Sequence, residues 1–329
     1  MSNSLIAQAL WHLDAQSSEL AEVPLEISPT LPCTVETQAS LISSGTERLV
    51  SSGLVPASIQ PDMRVPYMRG NFEFPMTYGY SLVGKVSNHD HPLSGQMVHL
   101  LHPHQTICQV ASGDAFPVPE GIPARRATLA SNLETAVNAI WDSGMSTGDK
   151  ILVVGFGIIG SLVARLASLF PGTEVYVAET QRKRRMMAEQ MGFFLLGDHD
   201  SEVEFDCAFH CTGASGGLQT AIDQVGYEGV IVELSWYGTR GIEVNLGGDF
   251  HSKRKKIISS QVSNLPADRQ GRWGFRRRKE TVFELLKDPV FDAHITREIP
   301  FEELPDFFQR LRQGEIHELA CCVSYPALS

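Results

Sequence analysis

The residues best spaced for chemistry are three glycines and an acid. Gly155, Gly157 and Gly160 fall at G-x-G-x-x-G spacing directly after the apolar run Ile151 to Val154, and Glu179 follows 24 residues after Gly155. The first glycine permits a tight turn out of a strand, the second lets the backbone approach a pyrophosphate, and the third lets helix and strand pack closely. The turn, with Phe156, Ile158 and Ile159 between its glycines, is the expected contact surface for the ligand. The helix behind it adds unpaired N–H groups and a partial positive charge. An acid in the place of Glu179 accepts hydrogen bonds from the adenosine ribose, which favours NAD and leaves NADP open. Two further groups, His89-Asp90-His91 and His102-Pro103-His104, offer ordinary metal ligands in loops, but neither brings a third fixed partner.

The elements that must position these residues are legible around them. Ile151 to Val154 is apolar throughout, as a strand buried on both faces requires. Ile159, Leu162, Val163, Leu166 and Leu169 then recur at helical intervals until Pro171-Gly172, and Val175 to Ala178 is a second apolar run ending on Glu179. Helical patterns are expected over 127–143, 182–191 and 218–225, with strands over 207–209, 230–234 and 257–262 and a turn at 226–229. Strand and helix in alternation predict a parallel, doubly wound sheet with ligands at the carboxyl ends of its strands. Cys211, Thr212 and Ser235 follow such strands and are expected to line the cofactor cleft, with Thr135 near the start of the preceding helix.

Upstream the grammar differs. Short β-like runs over 34–42, 82–86, 96–101 and 106–110 are broken by repeated proline and glycine, which predicts a β-rich domain with long loops. The tail alternates helix and strand over 275–325, too few residues for an independent core, and is expected to return to the first domain. The expected division is 1–128, 129–265 and 266–329.

Composition narrows the function classes. The 329 residues carry a net charge of −11, with 43% hydrophobic and 20% charged residues, ordinary for a globular protein. An acidic balance argues against nucleic acid or an anionic membrane as partner. The basic runs 253–256 and 276–279 read as solvated helix faces. The six cysteines form no C-x-x-C pair, Met1 to Leu10 lacks a basic signal region, and no stretch approaches the roughly 20 apolar residues of a membrane helix. A cytoplasmic protein with reduced thiols is expected.

The runs Ser44 to Leu49 (SGTERL), Tyr78 to Val86 (YGYSLVGKV), Asn132 to Ala136 (NLETA), the glycine triplet, and Phe250-His251 before Ser259 to Ser263 resemble the medium-chain dehydrogenase/reductase superfamily, the alcohol dehydrogenase and quinone reductase group. The SGTERL run is also similar to bacteriochlorophyllide hydroxyethyl dehydrogenases. The resemblance covers nearly the whole chain and implies an α/β fold, a doubly wound parallel Rossmann sheet inserted into a β-rich GroES-like catalytic domain. It also implies a homodimer and a small-molecule substrate. Zinc-dependent members hold a catalytic metal by three ligands, and the matching places here are Ser43, Tyr80 and Ser131. Hydroxyls are poor zinc ligands, and the cysteines of the structural zinc lobe are missing, so no zinc is expected.

Without a Lewis acid, a carbonyl oxygen receiving hydride needs hydrogen-bond donors and a proton source. By the resemblance, Tyr80 points into the site, Ser43 and Thr46 stand beside it, and His104 borders the substrate pocket with a group that titrates near neutrality. The resulting expectation is a zinc-independent NAD(P)-dependent oxidoreductase acting on a carbonyl or alcohol. Reduction of an enoyl or quinone substrate is the second expectation, and a nucleotide-binding sensor without turnover the third.

Overall fold

The computed structural model of the chain describes residues 5–25, 28–197 and 203–326, so the first four residues of the stretch weighed for a signal lie outside it. Two compact units emerge, residues 1–131 with 283–329, and residues 132–282. The sequence reading placed the corresponding crossings after residues 128 and 265.

The first unit opens on a hairpin absent from the sequence reading. Strands Leu5–His12 (β1) and Ser18–Leu25 (β2) pair antiparallel from Leu5 opposite Leu25 to His12 opposite Ser18. Asp14 Oδ1 closes the turn by accepting the N–H groups of Gln16 and Ser17 at 2.7 and 2.8 Å, an arrangement short polar side chains favour in turns. Ala7, Ala9, Val23 and Leu25 are buried with Ile107. Small alanines had disguised the alternation. Next come Cys33–Ile42 (β3), the helix Ser44–Ser51 (α1), Leu82–Val86 (β4), Met97–Leu100 (β5), Ile107–Val110 (β6) and Phe116–Pro117 (β7). Cys33, Val35, Leu82, Val86, Val98 and Leu100 form one apolar cluster with Cys108 and Val110.

Helix Ala130–Ser143 (α2) leads toward the second unit. There Lys150–Val154 (β8), the helix Ile158–Ala167 (α3), Glu174–Ala178 (β9), the helix Arg182–Gln190 (α4) and the short Phe194–Leu195 (β10) follow in turn. They are succeeded by Phe205–His210 (β11), the helix Ser215–Gln224 (α5), Val225–Glu233 (β12) and Lys256–Ser259 (β13). Every pairing in this sheet is parallel, and the order is β10-β9-β8-β11-β12-β13. That is the doubly wound order with a switch point beside β8. The turn expected at 226–229 is instead an irregularity within β12, where Glu228 takes φ 56° and the register against β11 slips. Two glycines there serve a bulge, the other use of glycine in a strand.

Helix Phe275–Leu285 (α6) precedes Arg297–Pro300 (β14), the helix Leu304–Gln313 (α7) and Cys321–Ser324 (β15). From residue 283 on, rather than from 266, the tail belongs to the first unit, whose main sheet runs β14-β15-β3-β4-β5-β7 with β6 also on β3. Phe301, Leu304, Phe307, Phe308 and Leu311 pack against Leu10, Ile42 and Val323. Gly314 ends α7 in the left-handed conformation, φ 77°. Among the described residues no helix is long and apolar enough to cross a membrane.

Candidate functional site

In the second unit the glycine turn is built from backbone. Gly155 has φ 94°, and a Cβ there would lie 2.7 Å from Thr212 Cγ2, so both conformation and crowding demand glycine. A Cβ on Gly160 would collide with the Gly155 carbonyl oxygen. Gly157 precedes the first residue of α3, and the nearest atom to a Cβ there is Arg184 Nη1 at 3.7 Å. The middle of the turn is therefore bare backbone with room beside it, as a pyrophosphate needs. Glu179 clips the turn in place: Oε2 accepts from the Phe156 N–H at 2.8 Å, and Oε1 from those of Thr180 and Gln181 at 2.7 and 2.8 Å. The Phe156 ring is buried and packs on Phe193. Ile158 is buried, while Ile159 is partly exposed at the helix start. These residues fit a dinucleotide, with Glu179 able to receive ribose hydroxyls on the lone pairs its backbone bonds leave free.

Cys211 continues from β11, its N–H donating to the Val154 carbonyl at 2.8 Å, and this brings Thr212 against Gly155. Burial, followed by the charge of Glu233, pushes the Cys211 thiol well up, so it is not a thiolate at neutral pH. The Ser235 hydroxyl accepts the Gly213 N–H at 3.0 Å. Thr135 lies on α2, partly exposed.

In the first unit the side chains matched to catalysis do converge. β3 ends at Ile42, Ser43 caps α1, and the Ser43 N–H donates to Glu47 Oε1 one turn later at 2.7 Å. The Tyr80 phenol stands near the side chains of Ser43 and Thr46, close enough for both to act on its proton. Burial, then the nearby Glu47 charge, push that phenol up to about 12 against the opposing effect of the two hydroxyls. It is protonated at neutral pH and suited to donate. Ser131 Oγ donates to the Tyr80 carbonyl at 2.7 Å.

His104 is not at a pocket border. It is wholly buried, with Nε2 2.9 Å from Glu47 Oε2 and Nδ1 2.7 Å from Ser40 Oγ, which lies 2.9 Å from the Tyr325 hydroxyl. The His104 backbone is drawn inward because its carbonyl accepts the Leu10 N–H at 3.0 Å. Gly79, at φ 132°, admits the ring: a Cβ there would lie 3.0 Å from His104 Cδ2. Glu47 had no catalytic role in the sequence reading, which held no sign of Ser40 or Tyr325, the latter 285 residues from Ser40.

The three places matched to metal ligands offer oxygen from Ser43, Tyr80 and Ser131, and zinc prefers thiolate, imidazole or carboxylate. These residues do not fit zinc. Among the described residues no group of three or more His, Cys, Asp or Glu side chains is arranged to hold a metal ion. His91 Nε2 engages Ser112 Oγ at 2.9 Å, and His102 stacks on Tyr67 with Nδ1 2.8 Å from the Pro103 carbonyl.

No family model matches the chain. It is similar to D-guloside 3-dehydrogenase of Escherichia coli, 26% identical over 207 residues, and to (R,R)-butanediol dehydrogenase of Bacillus subtilis, 25% identical over 202 residues. The matched stretch spans 59% of both this chain and the first relative, and 57% and 54% in the second comparison. The solved acetophenone reductase from Geotrichum candidum, in complex with NAD, shares the fold with a TM-score of 0.76 at 17% identity, covering 97% of each chain.

Proposed function

We propose that this chain of the medium-chain dehydrogenase/reductase superfamily is a zinc-independent NAD(P)-dependent oxidoreductase acting on a carbonyl or alcohol. The observation that carries the reading is the Tyr80 phenol standing near Ser43 and Thr46, with Tyr80 and Ser43 at two of the places matched to zinc ligands. A nicotinamide cofactor, when bound in the second unit by the glycine turn and Glu179, supplies or accepts the hydride. Tyr80 donates a hydrogen bond to the substrate oxygen and gives up its phenolic proton as negative charge develops there. Ser43 and Thr46 orient the phenol and stabilise the tyrosinate left behind. Glu47, held by His104, fixes the Ser43 backbone and, through its negative charge, keeps the resting phenol protonated. In the oxidising direction the tyrosinate takes the alcohol proton back.

Glu179 makes NAD the preferred cofactor and NADP the second. The relatives' names suggest a sugar-derived or diol alcohol and its ketone as substrates, with butanediol, acetoin and diacetyl as convenient probes. The chain is proposed to work as a homodimer. β13, at one end of its sheet and with Ile257 36% exposed, offers a sheet edge for it. The test is titration of metal-analysed protein with NADH and NADPH by nicotinamide fluorescence, followed by turnover on a carbonyl and alcohol panel. Tighter NADH binding and turnover without stoichiometric zinc are expected. Binding of neither cofactor overturns the reading, and activity that tracks added zinc overturns its metal-free part.

A further inference from the structure

The carboxyl ends of β11 and β12 carry a polar network that the glycine turn does not explain. His210, the last residue of β11, is wholly buried. Its Nδ1 lies 3.0 and 2.9 Å from the two carboxylate oxygens of Glu233, the last residue of β12 and its register partner. Its Nε2 lies 2.6 Å from Thr212 Oγ1. Glu233 also accepts the Ser235 N–H at 2.7 Å and the Tyr237 hydroxyl at 2.9 Å. One imidazole and one carboxylate thus tie the turn after β11 to the turn after β12. The approach is close enough that a Cβ on Gly217 would stand 2.8 Å from His210 Nε2. Burial pushes the Glu233 carboxyl up, but the His210 hydrogen bond and charge, the Ser235 N–H and the Tyr237 hydroxyl outweigh it and hold the carboxyl below its usual range.

A buried pair of this kind is weak as a stabilising device, since well-packed apolar residues often do as well or better. Its place is informative, because open α/β sheets bind ligands at the carboxyl ends of their strands. Strand order then says which part of a dinucleotide it meets. Glu179 ends the run through β9 and marks the adenosine side, the glycine turn after β8 marks the pyrophosphate, and β11 and β12 lie beyond β8 in the opposite direction. A ligand crossing the switch point from β9 therefore brings its nicotinamide end over β11 and β12.

We propose that His210, Glu233 and Tyr237 are positioning residues that hold the Ser235 to Tyr237 turn for the nicotinamide end of the cofactor. The inference rests on the dinucleotide reading given under the proposed function. It separates from that reading by the choice of ligand, because ADP carries the adenosine and pyrophosphate but no nicotinamide.

The experiment titrates wild type, Glu233→Gln, His210→Gln and Tyr237→Phe with NADH by fluorescence and with ADP by calorimetry. The first two variants are expected to weaken NADH at least about tenfold and Tyr237→Phe about threefold, with ADP affinity held within about twofold, as loss of hydrogen bonds to a charged group implies. Unchanged NADH affinity, or parallel weakening of NADH and ADP, overturns the proposal. Parallel weakening marks general support of the sheet end. Tyr237 is partly exposed and loses one hydroxyl, so its variant carries the test where a change at buried His210 disturbs folding. A wild type that binds ADP but not NADH also overturns it, and one that binds neither overturns the dinucleotide reading with it.

Discussion

In the second unit six consecutive residues, Gly155 to Gly160, make the proposed cofactor site from main chain. In the first unit Ser43 and Thr46, Tyr80, His104 and Ser131 arrive from four separate stretches and make one from side chains. The first construction tolerates no bulk at Gly155 or Gly160, because a Cβ there would run into the Thr212 methyl group or the Gly155 carbonyl oxygen. The second tolerates substitution in steps, because each hydrogen bond is one of several that hold Tyr80 and Glu47. Steric sites should fail outright and hydrogen-bonded clusters by degrees.

The sharpest test of that contrast is Gly160→Val, whose Cβ would collide with the Gly155 carbonyl oxygen. NADH binding is expected to fall by about 1,000-fold or more, read by fluorescence titration, because the helix start must move away from the strand end. Retention of NADH affinity would mean that the turn yields, and the contrast would lose its first half. Next in size is Tyr80→Phe. It keeps the ring and removes the proton, so kcat with NADH and diacetyl is expected to fall about 10²- to 10⁴-fold with NADH affinity unchanged. A variant that keeps wild-type turnover would move the proton donor elsewhere.

His104→Leu tests how the cluster is held. It leaves the Glu47 carboxylate, 1% exposed, without its imidazole partner, and unpaired buried charge of this kind costs about 3–5 kcal/mol. Urea unfolding should show that loss. The double variant Glu47→Leu with His104→Leu is expected to recover part of it, because residues in direct contact are not additive. Additive losses would show that the two side chains act independently.

The same contrast decides what was legible in the sequence. The glycine turn and its strand, helix, strand frame were readable because 3.6- and 2-residue periodicities and a local motif specify them. The strand-like runs over 34–42 and 82–86 were readable for the same reason. The hairpin β1–β2 was not, since alanine at buried positions 7 and 9 weakens the alternation that marks a strand. Glycines at 226 and 229 read as a turn where the chain makes a bulge, because glycine serves both. Tyr80, Ser43 and Thr46 could be matched one by one through the resemblance. That Glu47 turns inward to His104, or that Ser40 meets Tyr325, depends on pairing of β3 with β4, β6 and β15, which no local pattern encodes. His210 and Glu233 were invisible for a related reason: parallel register makes them neighbours although 23 residues separate them.

The smallest expected effect concerns acid. Two histidines of the first unit are buried neutral. Burial first, then the Arg312 charge and His104, lower His12 to about 3, and burial, only partly opposed by the Pro103 carbonyl, lowers His102 to about 4. Both fall from an ordinary value of 6.5, so the unfolded chain binds these protons first. The stability they contribute is present above pH 6.5 and is lost as pH falls toward the folded values, at a slope of about 1.4 kcal/mol per pH unit for each. Glu233 of the second unit behaves differently. Its carboxyl is held below the ordinary 4.5, so its contribution persists until pH falls below that value. Between pH 6.5 and 5 the decline should therefore come from the first unit. Urea unfolding at pH 7.5, 6.0 and 5.0 should show His102→Gln flattening the decline by about one proton's slope. A slope that His102→Gln does not alter would mean that water or a rearranged partner already meets the imidazolium, and that the first unit's polar core is less closed than its hydrogen bonds imply.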